Sequence, residues 1–260
     1  MAPTTVGLLG YGRIGRALHD DVRAEEGFEL DYAYVRSDED GLATDQQVTD
    51  PDALAERDVD LVVEAATHEV VGELGERALS AADLMVLSGS AFVDDAVRER
   101  VEAAAAEHGH DVYLPHAALL GVDGLVDAGD TLESVSIEAT KAPDHLDFSY
   151  TDAYDPGEVT DRTVLYQGSV RGLCRQFPRN FNSHACVAMA SLGLDDVTTR
   201  LVADPDADTA DHVITASGEG YDLEIVREST IEGVTGDYTL TSIWGSIRRA
   251  VGADGGLTFL

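Results

Sequence analysis

The chain has 260 residues, enough for one large or two modest folded domains, and 44% of them are apolar, which excludes a disordered chain. Its 50 acidic residues stand against 17 basic ones, a formal charge of −33, and with no basic stripe a nucleic-acid partner is excluded. Cys174 and Cys186 lack CxxC spacing, the N-terminus lacks a leader pattern, and no apolar run approaches the roughly 18 residues of a membrane span. The expectation is a cytoplasmic protein with free thiols, no metal site and no membrane partner.

The first twenty residues carry the strongest local signal. Val6-Gly7-Leu8-Leu9 suits a buried parallel strand, and Arg13 to about Glu25 changes to helical spacing with apolar Ile14, Ala17, Leu18 and Val22. Between them runs Gly10-Tyr11-Gly12-Arg13-Ile14-Gly15. In such a turn the first glycine permits the bend, the second lets a pyrophosphate approach the backbone, and the third lets helix and strand pack closely. The helix start offers N–H groups and a positive dipole end to phosphates. Gly10, Gly12, Arg13 and Ile14 are therefore candidate cofactor-binding residues, and the cofactor is NAD or NADP. Glu29 to Val35 reads as the second strand, ending in Val35-Arg36-Ser37-Asp38. An NAD site usually places an acid about 20 residues beyond the glycines. Here Arg36 and Ser37 come first and Asp38 is late. Arg36 reads as a 2′-phosphate partner, an adenine stack or a solvated loop cation, and the choice of cofactor stays open.

Asp60 to Ala66 reads as another strand of the same sheet, with Ala66 at its end a candidate cofactor contact. A helix over His68–Ser80, a strand at Leu84–Leu87, a Ser88-Gly89-Ser90 loop, an alanine-rich helix over Asp94–His108 and a sixth short strand at Asp111–Leu114 follow. This alternation predicts a Rossmann-type doubly wound parallel sheet over residues 1–115. After Pro115 the rhythm changes. Leu132 to Thr140 puts Val135, Ile137 and Ala139 on one face and Ser136, Glu138 and Thr140 on the other, the pattern of a half-exposed strand. Val197–Val202, His212–Ala216 and Leu223–Val226 are strand-like, Asn182–Leu192 suits a helix packed closely on a sheet, and Asp144–Asp152 reads as a polar loop. The expectation for 116–237 is an α+β catalytic and oligomerisation domain on a mostly antiparallel sheet. A last helix, about Tyr238 to Val251, is expected to complete the first domain within 238–260.

Several segments resemble the L-aspartate dehydrogenase family. They are Leu87-Ser88-Gly89-Ser90-Ala91-Phe92; Tyr113-Leu114-Pro115-His116-Ala117-Ala118-Leu119-Leu120-Gly121-Val122-Asp123; Tyr166-Gln167-Gly168-Ser169 leading into Phe177-Pro178-Arg179-Asn180-Phe181-Asn182; and Ala203-Asp204-Pro205 before Asp211-His212-Val213-Ile214. They occur in family order and cover most of the chain. The resemblance implies that His212 is the catalytic acid/base and that Ala118 and Asn182 contact the nicotinamide cofactor. It also implies an amino-acid substrate, L-aspartate, oxidised through iminoaspartate to oxaloacetate and ammonia, a place in NAD biosynthesis, and a homo-oligomer, a dimer. His116-Ala117 for the family's Ser-Gly, Leu120 for a glycine, and Ser183-His184 for an apolar-alanine pair depart from the pattern beside the expected pocket. These departures keep two other readings in view: a reductase or dehydrogenase resembling the dihydrodipicolinate reductase or homoserine dehydrogenase groups, and a nucleotide sensor without turnover.

Oxidising an amino acid takes a hydride from Cα and a proton from the ammonium group, and water then attacks the imine. A group titrating near neutrality suits those transfers, which points to histidine. His19, His68, His108 and His110 fall on predicted helix surfaces or ends and His145 in an acidic loop, leaving His116, His184 and His212 in motif segments. A dicarboxylate needs cations, which are scarce here, so Arg179 and Lys141, the single lysine, are candidate substrate-binding residues. The acidic composition also resembles that of proteins working in concentrated salt. Self-repulsion among so many charges weakens as the Debye length shrinks from ~30 Å at 0.01 M to ~3 Å at 1 M. The melting temperature is therefore expected to rise steadily with KCl into the molar range. Calorimetry giving a flat profile would show the acidic surface to be uncoupled from stability.

Overall fold

Parallel strands that are covered on both faces read as unbroken apolar runs, and the N-terminal half of the chain is built of such runs. The computed structural model describes residues 2–116, 119–230 and 237–252. The chain divides into two units, one formed by Met1–Pro115 and the chain from Ile243, the other by His116–Ser242.

The first unit contains β1 (Thr4–Leu9), α1 (Arg13–Ala24), β2 (Phe28–Tyr34), β3 (Gln47–Val48), β4 (Leu61–Glu64), α2 (His68–Leu79), β5 (Asp83–Val86), α3 (Asp95–His108) and β6 (Val112–Tyr113). All strands pair in parallel in the order β3-β2-β1-β4-β5-β6. This is the doubly wound nucleotide-binding sheet, with its switch point between β1 and β4. The two-residue β3 has no sequence signal of its own; it follows from pairing with Ala33 and Tyr34. The expected loop at Ser88–Ser90 is tightened into a 3₁₀ turn over Gly89–Val93.

The second unit contains α4 (Val122–Ala128), β7 (Leu132–Lys141), β8 (Thr163–Ser169), α5 (Val170–Gln176), α6 (Asn182–Met189), β9 (Thr198–Ala203), β10 (Ala210–Gly218) and β11 (Tyr221–Ser229). Its sheet has the order β11-β10-β7-β9-β8, with β7–β9 the one parallel pairing in a mostly antiparallel ladder. Buried Ala185, Val187 and Ala188 give α6 the narrow surface its sequence suggested. A final helix, α7 (Asp237–Ala250), brings Ile243 and Ile247 into the core of the first unit, and Trp244 there meets Phe28 with ring centroids 5.0 Å apart. Trp244 Nε1 also donates to Glu25 at 3.1 Å. No helix among the described residues is long and apolar enough to cross a membrane.

Candidate active site

Each unit carries one group of chemically significant residues. In the first, β1 runs into the glycine turn and α1 leaves it. Gly10 has φ +102°, a conformation side chains seldom tolerate, and a Cβ there would lie 2.8 Å from the Cβ of Ala66. The turn and the end of β4 are thus pressed together. A Cβ on Gly15 would lie 2.5 Å from the Gly10 carbonyl oxygen, so the third glycine permits helix and turn to touch. At Gly12 a Cβ would meet no protein atom within 4 Å. Packing does not require that glycine; the bare backbone is open to an outside group. No side chain caps α1 at Gly12, which leaves the helix N-terminus suited to an anion. These features fit the pyrophosphate of NAD or NADP. Arg13 is exposed beside the turn, whereas the side chain of Ile14 packs against the core.

Two residues of this unit were not legible beforehand. Glu64, the last residue of β4, is completely buried and accepts from Ala66 N at 2.7 Å, Ser88 N at 2.8 Å and Ser88 Oγ at 3.0 Å. It ties together the loops that follow β4 and β5, and so fixes Ala66. Burial pushes its carboxyl up to about 7 against the pull of those donors. An acid inside an apolar strand was the one available signal. His19, expected on a helix surface, is instead buried with its Nδ1 2.6 Å from Tyr11 Oη, and desolvation lowers its pKa.

In the second unit, strand register assembles the group. His212 on β10 lies opposite Ala139 of β7 and Arg227 of β11. With a two-residue period Lys141 falls on the same face as Ala139, so three adjacent strands present Lys141, His212 and Arg227 together. His184 comes from α6: its ring centroid is 5.4 Å from that of His212 and 4.8 Å from that of Phe181. Lys141 Nζ sits 5.1 Å from the Phe181 ring centroid, buried, with no hydrogen bond or ion pair to its side chain among the described residues. Arg227 Nη1 lies 3.2 Å from His212 Nδ1, and its Nη2 donates to Ser229 Oγ. Guanidinium only donates, so His212 Nδ1 accepts and the neutral ring carries its proton on Nε2.

The electrostatics are one-sided. Burial lowers Lys141 to about 8, helped by Arg227, and lowers His184 to about 3, helped by Lys141. His212 falls well below its ordinary value through burial, then Lys141, His184 and Arg227. Among the described residues no carboxylate appears among the groups acting on these three; Asp211 acts on Arg227. The sequence-based expectation of a group titrating near neutrality is therefore corrected downward for His212. Arg179 is placed elsewhere: it pairs with Asp147 at 3.0 Å and is half exposed. Neighbouring Asn180 clamps the same loop, accepting from Asp147 N and donating to His145 O. Asn182 opens α6, half-buried, and Ala118 lies outside the described residues. His116 is half-buried with Nδ1 3.4 Å from Ser242 Oγ. Arg227 was missed because only the β10–β11 register places it beside His212.

A dinucleotide-binding sheet followed by a mixed-sheet unit with a buried basic cluster puts the chain among the NAD(P)-dependent amino-acid dehydrogenases. Known proteins narrow the class. Residues 10–115 match the homoserine dehydrogenase NAD-binding domain, and residues 123–250 match the aspartate dehydrogenase C-terminal domain. An L-aspartate dehydrogenase of Brucella anthropi is 34% identical, with 83% of each chain covered. An aspartate dehydrogenase domain-containing protein of Danio rerio is 33% identical, with 96% of each covered. The crystal structure of aspartate dehydrogenase from Thermotoga maritima superposes with a TM-score of 0.77 at 26% identity, covering 99% of both chains. The chain belongs to the L-aspartate dehydrogenase family.

Two predictions arise from this geometry. Gly12→Val is expected to fold with an unchanged melting temperature but lose NAD(P) binding, whereas Gly15→Ala should cost about 1–3 kcal/mol by overpacking. Calorimetric melting and nucleotide titration of both variants separate the two roles; wild-type affinity in Gly12→Val would contradict the assignment. The second concerns acid. His184 and His212 are held neutral in the fold, while the unfolded chain takes up protons below pH 6.5. Stability is therefore present above that pH and lost as pH falls toward 3, each histidine contributing at most ~1.4 kcal/mol per pH unit. Between pH 6.5 and 5, before most carboxylates titrate, His184→Leu should show a shallower loss than the wild type; equal slopes in denaturant melts would refute it.

Proposed function

We propose that the chain oxidises L-aspartate to oxaloacetate and ammonia with NAD(P), with Lys141 and Arg227 binding the substrate carboxylates and His212 moving protons. The observation that carries this reading is the cluster of buried Lys141, His184 and His212 with half-buried Arg227 beside them, in a chain of 50 acidic and 17 basic residues. A buried cation without a carboxylate partner is costly unless an anion arrives to offset it, and a dicarboxylate brings two.

Gly10, Gly12, Arg13, the backbone of Ile14, and Ala66 would hold the cofactor, with Asn182 and Ala118 at the nicotinamide. The cofactor supplies a hydride acceptor. Aspartate loses hydride from Cα and a proton from its ammonium group, giving iminoaspartate. Water adds to the imine carbon as a base takes its proton, and the amine then leaves as ammonia after taking a proton back. Free His212 is a poor base, because Arg227 occupies Nδ1 and three basic neighbours depress it. A substrate carboxylate engaging Arg227 releases Nδ1, and the two anionic groups offset the cations and raise the basicity of the ring. Substrate binding thereby prepares its own base.

The buried thiols of Cys174 and Cys186, both pushed up to about 12 by burial, support a reducing, cytoplasmic setting. The edge of β11, unpaired among the described residues, with exposed Val226, supports the homodimer expected for the family.

His212→Ala is expected to lower kcat by roughly 10²–10⁴-fold with cofactor affinity unchanged. Lys141→Met and Arg227→Met should instead raise KM for L-aspartate roughly ten- to hundred-fold, the loss of one charged hydrogen bond. In the wild type, kcat/KM should fall above pH about 8 as free Lys141 loses its proton, and Lys141→Met should lose that limb. Steady-state kinetics with a panel of L-amino acids checks all of these; a His212→Ala enzyme within a few-fold of wild type would sink the catalytic assignment.

A further inference from the structure

The end of β2 bears on which nicotinamide nucleotide the enzyme takes. Gly10 N donates to Tyr34 O at 3.0 Å and Val35 N to Val48 O at 2.8 Å, so the chain stays in the sheet through buried Val35. Arg36, Ser37 and Asp38 are then the first exposed side chains beside the glycine turn. In sheets of this order a carboxylate at that place accepts from the ribose 2′-hydroxyl of NAD, and an arginine there receives the 2′-phosphate of NADP.

Arg36 forms no hydrogen bond, ion pair or ring contact among the described residues, although the chain carries 50 acidic residues. Arg16, Arg57, Arg77, Arg100, Arg171 and Arg200 are each taken by one. Glu39, the acid that follows Asp38, is already committed. Its carboxylate holds Arg16 Nη2 at 2.5 Å, its N–H donates to Gln47 Oε1 at 3.0 Å, and its carbonyl accepts from Gln47 Nε2 at 3.3 Å. Arg16 Nη1 donates to Asp40 O at 2.9 Å, and Tyr11 Oη donates to Gly41 O at 3.4 Å. Residues 39–41 are thus fastened to the glycine turn and the start of α1, with Glu39 facing Arg16. In a chain of formal charge −33, a phosphate dianion also needs a local cation to overcome the general field.

We propose that Arg36, with the Ser37 hydroxyl beside it, forms a 2′-phosphate site and that this enzyme prefers NADP(H) to NAD(H). Guanidinium supplies two parallel donors to a phosphate, the geometry that makes arginine the stronger partner for it. The rival assignment is that Asp38 accepts from the ribose hydroxyl and favours NAD(H).

Isothermal titration of NADP⁺ and NAD⁺ in molar KCl distinguishes them, using wild type, Arg36→Ala and Asp38→Ala. These side chains are exposed, so the variants are expected to fold. Wild type should bind NADP⁺ the more tightly. Arg36→Ala should weaken NADP⁺ roughly ten- to hundred-fold, as expected for loss of a charged hydrogen bond, and leave NAD⁺ within about two-fold. Tighter NAD⁺ binding by the wild type would overturn the proposal. So would an equal loss for both nucleotides in Arg36→Ala, or an NAD⁺ loss confined to Asp38→Ala. Such a result would leave the dinucleotide site itself standing, since that rests on Gly12 and is probed separately by Gly12→Val.

Discussion

The second unit is organised around positive charge buried where, among the described residues, no carboxylate answers it. Lys141 is the chain's single lysine, and it lies inside the unit against the Phe181 ring rather than at the surface. Removing an ammonium group from water costs several kcal/mol unless something compensates, and a fold keeps such a cost only where it serves a purpose. The consequences spread outward. His184 and His212 must stay neutral, Arg227 must find a neutral acceptor in His212 Nδ1, and the cluster is left electrostatically incomplete until an anion enters.

The remaining charges behave differently. Most arginines of the chain sit at the surface with a carboxylate within hydrogen-bond reach, as in Arg77 with Asp52 at 3.2 Å or Arg200 with Glu138 at 2.7 Å. Such exposed pairs add little to stability, typically below ~1 kcal/mol each. Among the described residues, Lys141 and Arg36 stand apart from these pairs.

What was legible in the sequence was what is local. Gly10, Gly12 and Gly15 act within one turn, and their spacing announces it. The apolar runs of β1, β4 and β5 declare a sheet covered on both faces, and the alternation from Val135 to Ala139 declares one face of the second sheet. Arg227 carries no such signal, because it becomes part of the cluster only through the register that sets it opposite His212. Glu64 and His19 were unreadable for the same reason: their partners, Ser88 and Tyr11, are brought to them by packing. The short elements α4, β8 and α5 escaped notice because seven residues of mixed composition give neither period enough repeats to stand out.

The origin of Ile243 and Ile247 has a bearing on how the molecule is made. Both are completely buried in the core that also contains Val6, Leu8 and Leu30. The opening strands emerge from the ribosome first, yet the residues that close their hydrophobic core are translated more than two hundred positions later. That part of the core of the nucleotide-binding sheet stays uncovered while the whole second unit is synthesised. Folding from the N-terminus, the usual order for tandem domains, would leave the place of these two side chains unfilled until the end of synthesis. Its second unit, uninterrupted in sequence from His116 to Ser242, is the part able to finish first.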